Sequence, residues 1–503
     1  MRLAELLCPL AAAADAGAAL PPETAQRTAL IALGLGEAMG LSAESRSDLL
    51  YAGLLRHLGC SATAHEETRL MGDEQELRAA LTPVDAASPV QMLQGAGRGF
   101  AKGRSRLQRV RVVAGFLAQA PKAVPRIFAA RCEVSAMLGR RLGLSEGALR
   151  ALDETYERFD GKGLPKQRKS AELSSLTSVL AVAEYMAMLM PLPGGEALAF
   201  ETLKQRSGGQ FDPLVVSALC GAQEAVLSPA RRDAPLAALL DLEPRPHKLA
   251  PEIRVVAQVL ADFVDLKSTF TLGHSRNVAR LACNAAQAIG LGKEEVEAVE
   301  LAGLLHDLGR VSVSNAIWDK PGALDAGEWE KVHAHPQFTE RVLRTAGPFA
   351  ELARLAASDH ERMDSKGYPR GVAPSGAARI LAAADLVQSL SEPRPYRAAF
   401  SAEKAAAIAV EAVEEGRLER AAVNAVLEAL GQKSVRAAAP RGLTERELEV
   451  LKLLARGQVD KEIAAALGIS HRTVHHHNQS IFSKLAVTTR GAAALFATEQ
   501  GLL

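Results

Sequence analysis

The sequence predicts an all-α protein: two tandem copies of one helical domain, followed by a small helix-turn-helix domain. Three observations carry this. Alanine and leucine abound, apolar residues recur at the 3.6-residue period, and β-branched runs are few. A stretch near the start returns later in the chain. The final segment carries helix-start signals around a glycine turn. With 503 residues, 48% apolar and 23% charged, the chain has room for two to four domains, and disorder throughout is excluded.

The repeat is explicit. Thr24–Gly59 aligns without a gap on His274–Gly309 at an offset of 250, with 12 of 36 positions identical, among them Ala29, Gly53, Leu54, Leu55 and Gly59. Glu157–Pro165 matches Glu361–Pro369 at an offset of 204, and Val179–Glu184 matches Ile380–Asp385 at 201. The shrinking offset assigns the first copy, residues 1–240, an insertion of about 46 residues near 71–130. That insertion holds the glycine-rich Gly95–Gly99 and a basic run, Lys102, Arg104, Arg106, Arg109 and Arg111, read as a loop followed by a helix with a solvated face. A proline-rich joint, Asp241–His247, precedes the second copy at 251–431, and a linker, Gly431–Gly442, leads to the last domain at 443–503.

Charge and cysteine usage narrow the function. Lys+Arg 59 against Asp+Glu 58 gives a net charge of +1, so nucleic-acid binding must sit on a local patch. Aromatics at 4% argue against an extended base-stacking platform. The cysteines Cys8, Cys60, Cys132, Cys220 and Cys283 are scattered and form no C-x-x-C pair, which reads as reduced thiols in a cytoplasmic protein. Glu5, Pro9 and Asp15 interrupt the early apolar run, and no uninterrupted apolar stretch approaches the roughly 20 residues of a membrane span. We therefore expect a soluble protein with no membrane association.

Chemistry concentrates in the second copy. His274, the adjacent His306-Asp307, His335, Asp359-His360 and Asp385 combine imidazole with carboxylate, a donor mixture suited to Fe, Mn, Ni or Zn. A His-Asp pair inside the apolar run Leu304–Gly309 is costly to bury unless paired or metal-bound. A carboxylate such as Asp307 can bridge two ions, and a two-metal site clamps the attacking and leaving oxygens of a phosphoryl displacement. His333, two residues before His335, is left out because on one helix the two point about 200° apart.

In order, His274, His306-Asp307-Leu-Gly-Arg310, Lys320-Pro-Gly, His335-Pro336, His360-Glu-Arg-Met-Asp364-Ser-Lys-Gly367-Tyr368-Pro369, Ala-Arg-Ile-Leu-Ala-Ala-Ala-Asp385 and Arg394-Pro-Tyr-Arg397 resemble an HD-GYP phosphodiesterase over roughly Pro251–Gly431. The resemblance implies an all-helical HD fold. It also implies that His274, His306, Asp307, His335, His360 and Asp385 hold two divalent transition-metal ions, Fe or Mn, with Asp359 as a further oxygen donor. By the same resemblance the substrate is a cyclic dinucleotide such as cyclic di-GMP, with Arg310, Arg394 and Arg397 meeting its phosphates and Gly367, Tyr368 and Pro369 forming the signature turn. The chain departs from the pattern at Asp359, where histidine is usual, at Arg310 for lysine, and at Ser365 for glycine. Phe270 stands where some relatives carry a glutamate ligand, which implies two metals rather than three. The alternatives are a catalytically impaired nucleotide sensor and a phosphohydrolase of another nucleotide.

The first copy lacks this chemistry. Thr24, Arg56, His57, Arg131, Tyr156 and Glu184 stand at the six ligand positions. It reads as a degenerate domain that covers its partner copy or mediates dimerisation. Otherwise it is a metal-free regulatory pocket, with Arg56, Arg131 and Arg158 offered to an anion.

Thr444-Glu-Arg-Glu447 is a capping box opening a helix, Asp460–Leu467 a second helix, Gly468 the turn, and Ser470 the cap of a third helix running to about Leu485. The segment Leu443–Leu503 resembles a LuxR-type DNA-binding domain, which implies dimeric binding to double-stranded operator DNA. The expected DNA-facing residues are Lys461, Ser470, His471, Arg472, His475, His476, Asn478, Gln479 and Lys484, with asparagine and glutamine reading adenine edges and the cations meeting guanine or phosphate.

Overall fold

The structure, a computed structural model, describes residues 2–82, 84–85, 87–88, 90–92, 94–95, 106–244, 251–431 and 440–503. Most of the glycine-rich stretch, Lys102 and Arg104 of the basic run, the end of the proline-rich joint from residue 245, and most of the second linker lie outside the described residues. Helices dominate. Among the described residues there is no β-strand beyond two isolated bridges, Ser207–Phe211 and Arg394–Arg397. No helix among them is long and apolar enough to cross a membrane. The chain divides into two compact units, Met1–Val256 and Ala257–Leu503.

The first unit is built on α1 (Leu3–Gly17), α2 (Thr24–Ala38), α3 (Ala43–Leu55), α4 (Ala64–Met71), α5 (Arg106–Arg141) and α6 (Ser175–Leu189). The second carries α7 (Ile253–Asp265), α8 (His274–Ala288), α9 (Lys293–Leu305), a 3-10 segment (His306–Ser312), α10 (Ala326–His333), α11 (His335–Leu343), α12 (Ala377–Leu390) and α13 (Arg420–Gly431). It ends in α14 (Glu445–Ala455), α15 (Asp460–Leu467), α16 (His471–Leu485) and α17 (Arg490–Glu499).

The repeated residues are those that set the packing. A Cβ on Gly303 would meet the Cα of Ala279 at 2.6 Å, and one on Gly53 would meet the Cα of Ala29 at 3.0 Å, so only glycine lets α9 lie on α8, and α3 on α2, this closely. Gly309 and Gly59 repeat the device one turn later: each lies where a Cβ would strike a carbonyl oxygen, of His335 and Arg131 respectively, at 1.9 Å. The Gly309 contact draws the 3-10 segment onto the first turn of α11.

The repeat also reaches further upstream than the sequence alignment. Asp265 accepts hydrogen bonds from the Ser275 amide (2.9 Å) and hydroxyl (2.7 Å), and Asp15, also at an offset of 250, accepts from the Ala25 amide at 3.0 Å. Each carboxylate thus satisfies an amide in the first turn of the following helix.

Candidate metal centre

Four of the site's segments place their side chains at the end or on the inner face of a helix, and one lies in a loop. His274 is the first residue of α8, preceded by Gly273 at φ +77°, and His306-Asp307 open the 3-10 segment where α9 ends. His335 opens α11, with Pro336 in the first turn where its missing N–H costs nothing. Asp385 lies on the buried face of α12, and Asp359-His360 occupy the loop before it.

The imidazoles are held from behind. His274 Nδ1 lies 2.8 Å from Glu392 Oε2, His306 Nδ1 2.8 Å from the Gly303 carbonyl, and His335 Nδ1 2.6 Å from the Val332 carbonyl. These acceptors fix Nδ1 as the donor and leave Nε2 facing the centre, the arrangement expected of metal-ligating histidines. His274 Nε2 lies 3.2 Å from Asp385 Oδ1 and 3.6 Å from Asp307 Oδ2, His306 Nε2 3.6 Å from Asp307 Oδ2, and His335 Nε2 3.6 Å from Asp307 Oδ1. His360 Nε2 is 3.1 Å from Asp359 Oδ2. Three overlapping groups bring their ligand atoms within 4.8 Å of one another: His274, His306 and Asp385; His306, Asp307 and Asp359; His335, Asp359 and His360.

Orphaned atoms test the fit of a metal. His306 Nε2, His335 Nε2 and both carboxylate oxygens of Asp359 are buried without a hydrogen-bond partner among the described residues. Such atoms, gathered in two groups that share Asp359, are costly to bury unless a cation completes them, so the donor set fits divalent ions.

The electrostatics agree. Burial opposes ionisation of Asp307, but Arg310 and the neighbouring imidazoles outweigh it and hold the carboxyl well below its usual range. Burial also opposes the charged form of His274, yet Glu392, Asp385 and Asp307 raise its pKa well above the ordinary value. Burial, with His360 beside it, pushes His335 down to about 3, so this imidazole is neutral and its Nε2 lone pair is free at neutral pH. Asp359 is driven upward by burial and by the Asp385 and Asp307 charges, against the pull of His306. A carboxyl in that position needs a cation to ionise.

The remaining expected residues divide. Arg310 stays at the site, with Nη1 3.2 Å from Asp307 Oδ2 and its guanidinium 3.9 Å over the Trp318 ring. Tyr368 packs 4.7 Å from the His360 ring, while Gly367, just before it and Pro369, lies where a Cβ would strike the His360 carbonyl at 2.4 Å. Arg394 donates to the Phe270 carbonyl at 2.7 Å and pairs with Glu392 at 3.1 Å.

Arg397 requires a correction. Its guanidinium is spent on the carbonyls of Ser389, Leu390, Glu392 and Ala398, so it ties down the loop after α12 instead of facing a phosphate. His333 stays outside the candidate ligand groups, as expected, but for a different reason than one helix's geometry, because α10 stops there and α11 restarts at His335. The fixed angle of one helix does not apply across that break, and the His333 ring stacks on Tyr368 at 4.1 Å. Glu392 was missed by a search for ligands alone; the signal is that a metal-bound histidine needs an acceptor behind its other nitrogen.

In the first copy a protein cation fills the same place. Arg56 Nε lies 2.5 Å from Glu184 Oε2, and His57 Nε2 2.5 Å from Glu184 Oε1. Arg131 pairs with Glu67, and Arg158 with Asp85 and Asp160. All three guanidiniums offered to an anion in the alternative reading are paired with the chain's own carboxylates, although Arg56 Nη1 keeps no partner among the described residues.

In the terminal helices, Thr444 accepts from the Glu447 amide and Ser470 from the Thr473 amide, as the caps predict. Lys461, Ser470, His471, Arg472, His475, His476 and Gln479 are exposed. Asn478 is not, and this corrects the expected DNA-facing set. It is buried on the stripe Val474, Asn478, Ile481 and Leu485, and donates to Asp460 Oδ1 at 3.0 Å. Lys484 keeps a third of its side chain exposed while its ammonium lies 2.7 Å from Glu447 Oε2.

Comparison with known proteins fits this geometry. Residues 258–421 match the HD domain family, and residues 441–497 match the bacterial regulatory proteins of the luxR family. A 3'3'-cGAMP-specific phosphodiesterase 3 of Vibrio cholerae is 30% identical over 419 residues, 81% of this chain and 90% of that protein. The chain belongs to the HD-domain phosphodiesterase family. That alignment is longer than the second unit, so in this phosphodiesterase the shared architecture reaches into the first copy as well. The crystal structure of a cyclic GMP-AMP phosphodiesterase of V. cholerae (V-cGAP3) superposes with a TM-score of 0.59 at 26% identity, covering 86% of this chain and 99% of that one. The phosphodiesterase is also 32% identical over 164 residues to the cyclic di-GMP phosphodiesterase response regulator RpfG of Xanthomonas campestris, which spans 32% of this chain and 43% of that protein.

Proposed function

We propose that the second copy hydrolyses a purine cyclic dinucleotide, 3'3'-cGAMP or cyclic di-GMP, and that the terminal domain binds double-stranded operator DNA as a dimer, making the protein a nucleotide-responsive transcriptional regulator. The observation that carries the enzymatic reading is the clustering of the orphaned His306 Nε2 and His335 Nε2 in ligand groups that share the buried, unpartnered Asp359 oxygens. The names of relatives with substantial alignment support the substrate class. In this reading the domains span 1–240, 251–431 and 443–503, with the family matches at 258–421 and 441–497 supporting the second and third.

In this reading His274, His306, Asp307, His335, Asp359, His360 and Asp385 hold two divalent ions, Fe or Mn. Bound there, the ions supply Lewis-acid chemistry that activates water and clamps the oxygens of a phosphodiester under attack. The chain's own residues set up that reaction. Glu392 and the Gly303 and Val332 carbonyls aim three imidazoles inward, and the Arg310 and Arg394 guanidiniums would offset phosphate charge. Incubating metal-loaded protein with each cyclic dinucleotide and resolving the products tests the reading: a linear dinucleotide supports it. Binding without product over many hours would favour the sensor reading, which the unusual Asp359 and the Arg310–Asp307 pairing make worth keeping.

A further inference from the structure

Aromatic residues are only 4% of this chain, and it has two tryptophans, yet both flank the metal centre. Trp318 lies 5.5 Å from the His335 ring, edge-on, and is occupied by Arg310 on its face. Trp329 differs. It sits on α10, is 47% exposed, and lies one helical turn before His333, whose ring is 5.3 Å away. His333 stacks on Tyr368 at 4.1 Å and 27°, and Tyr368 in turn lies 4.7 Å and 33° from His360.

The four rings form a wall graded in exposure. Trp329 and His333 are exposed, Tyr368 is half-buried, the His360 side chain is 28% exposed, and Asp359 behind it is buried. An indole left half in water beside the His333 ring, at the outer end of a ring ladder that runs to the metal centre, offers a stacking surface at the rim of the site. A capping box, Asp325 with Glu328, fixes the first turn of the helix that presents it.

We propose that Trp329 and His333 form the nucleobase subsite of the enzyme, stacking a purine of the substrate while its phosphate lies at the metal centre. This rests on the phosphodiesterase reading above. The chemistry is that of a flat, weakly hydrated π-face recognising another, and it favours the larger purine ring over a pyrimidine without reading its edges. Arg310 and Arg394 then serve the phosphates, and the ring wall serves the base. A platform of two residues is compatible with the low aromatic content that argues against an extended one.

The test uses full-length, metal-loaded protein with two substrates, the purine cyclic dinucleotide and bis(p-nitrophenyl) phosphate, which has a phosphodiester and no base. Trp329→Ala should raise KM for the dinucleotide by roughly ten-fold, as expected for one lost base stack, with the loss expressed in KM rather than kcat. That loss should exceed the loss on bis(p-nitrophenyl) phosphate by about the same factor, and Trp329→Phe should recover most of it. Quenching of tryptophan emission by the dinucleotide should be smaller in Trp329→Phe than in the wild type. Equal losses on both substrates would assign Trp329 a structural role, and an unaltered KM in Trp329→Ala would remove it from the subsite; either overturns the proposal. If wild-type protein cleaves bis(p-nitrophenyl) phosphate but neither binds nor cleaves a cyclic dinucleotide, the substrate reading itself has failed and the subsite falls with it. Capture of an unrelated protein at Trp329, with KM unaltered, would assign the surface to a protein partner instead.

Discussion

The Nδ1 of His274 lies 2.8 Å from Oε2 of Glu392, 118 residues further along the chain. Glu392 is itself held by Gln388 at 2.7 Å and by Arg394 at 3.1 Å, and its pKa is lowered because His274 and Arg394 outweigh its burial. It is a positioning residue that sets the tautomer of His274. Glu392→Gln should lower metal affinity by roughly 10- to 100-fold, read by competition with a chelator. Unchanged affinity would reduce the contact to loop packing.

The loop of the signature turn carries a strained residue. Ser365 adopts φ +58°, where its counterpart in the first copy is Gly161 at +76°. A side chain in the left-handed region costs energy that glycine avoids. Ser365→Gly should therefore stabilise the second unit by up to about 1 kcal/mol, seen as a higher Tm, with metal content retained. A lower Tm would show that the serine makes a compensating contact.

The buried Arg56–Glu184–His57 cluster makes the first unit pH-dependent. Burial opposes the Glu184 charge, but Arg56 and His57 outweigh it and bring the carboxyl down to about 2. Burial likewise opposes protonation of His57, but Glu184 raises it to about 10. The depressed carboxyl stabilises the fold above its unfolded pKa and loses that contribution as pH falls towards about 2. The raised histidine stabilises below its unfolded pKa and loses its contribution as pH rises through about 10. Glu184→Gln should cost about 3 kcal/mol, most between about pH 4.5 and 6.5, measured by hydrogen exchange of α3 amides. A cost that stays constant to pH 10.5 would contradict the His57 assignment.

The terminal domain separates structural from DNA-facing residues. Gln479→Ala and Arg472→Ala should weaken or relax operator recognition, since both side chains are exposed on α16. Asn478→Ala should instead lower stability by about 1 kcal/mol through the lost Asp460 hydrogen bond, leaving sequence preference intact. Removing Leu443–Leu503 should abolish binding of double-stranded DNA while metal content persists. Gel-shift titrations on operator and unrelated duplexes check the DNA-binding outcomes, denaturant unfolding the Asn478→Ala loss, and elemental analysis the retained metal.

Much of this was legible in the sequence because it depends on local order. The caps at Thr444 and Ser470 and the repeat follow from spacing alone, whereas the metal-centre residues were legible as a mixture of imidazole and carboxylate and were assembled into one set by the family resemblance. The misses concern what lies behind or across from a residue. Glu392 carries no ligand spacing, Arg397 is diverted by carbonyls folded back around it, and His333 escapes because a proline-marked helix break intervenes. Asn478 was readable: it shares the i, i+4, i+7 stripe of Val474, Ile481 and Leu485, and that periodicity places it inward whatever its polarity. The low aromatic content pointed away from stacking only because composition averages over the chain what the fold concentrates at one site.

The central claim is that the second copy, and not the first, holds the metal. Elemental analysis of the full-length protein, beside His306→Ala with Asp307→Ala in one chain and Arg56→His with His57→Asp in another, tests it most directly. The account predicts about two transition-metal ions per wild-type chain, the number a two-metal site requires, and near-complete loss in the first double variant. Full occupancy retained after both His306 and Asp307 are removed would contradict it.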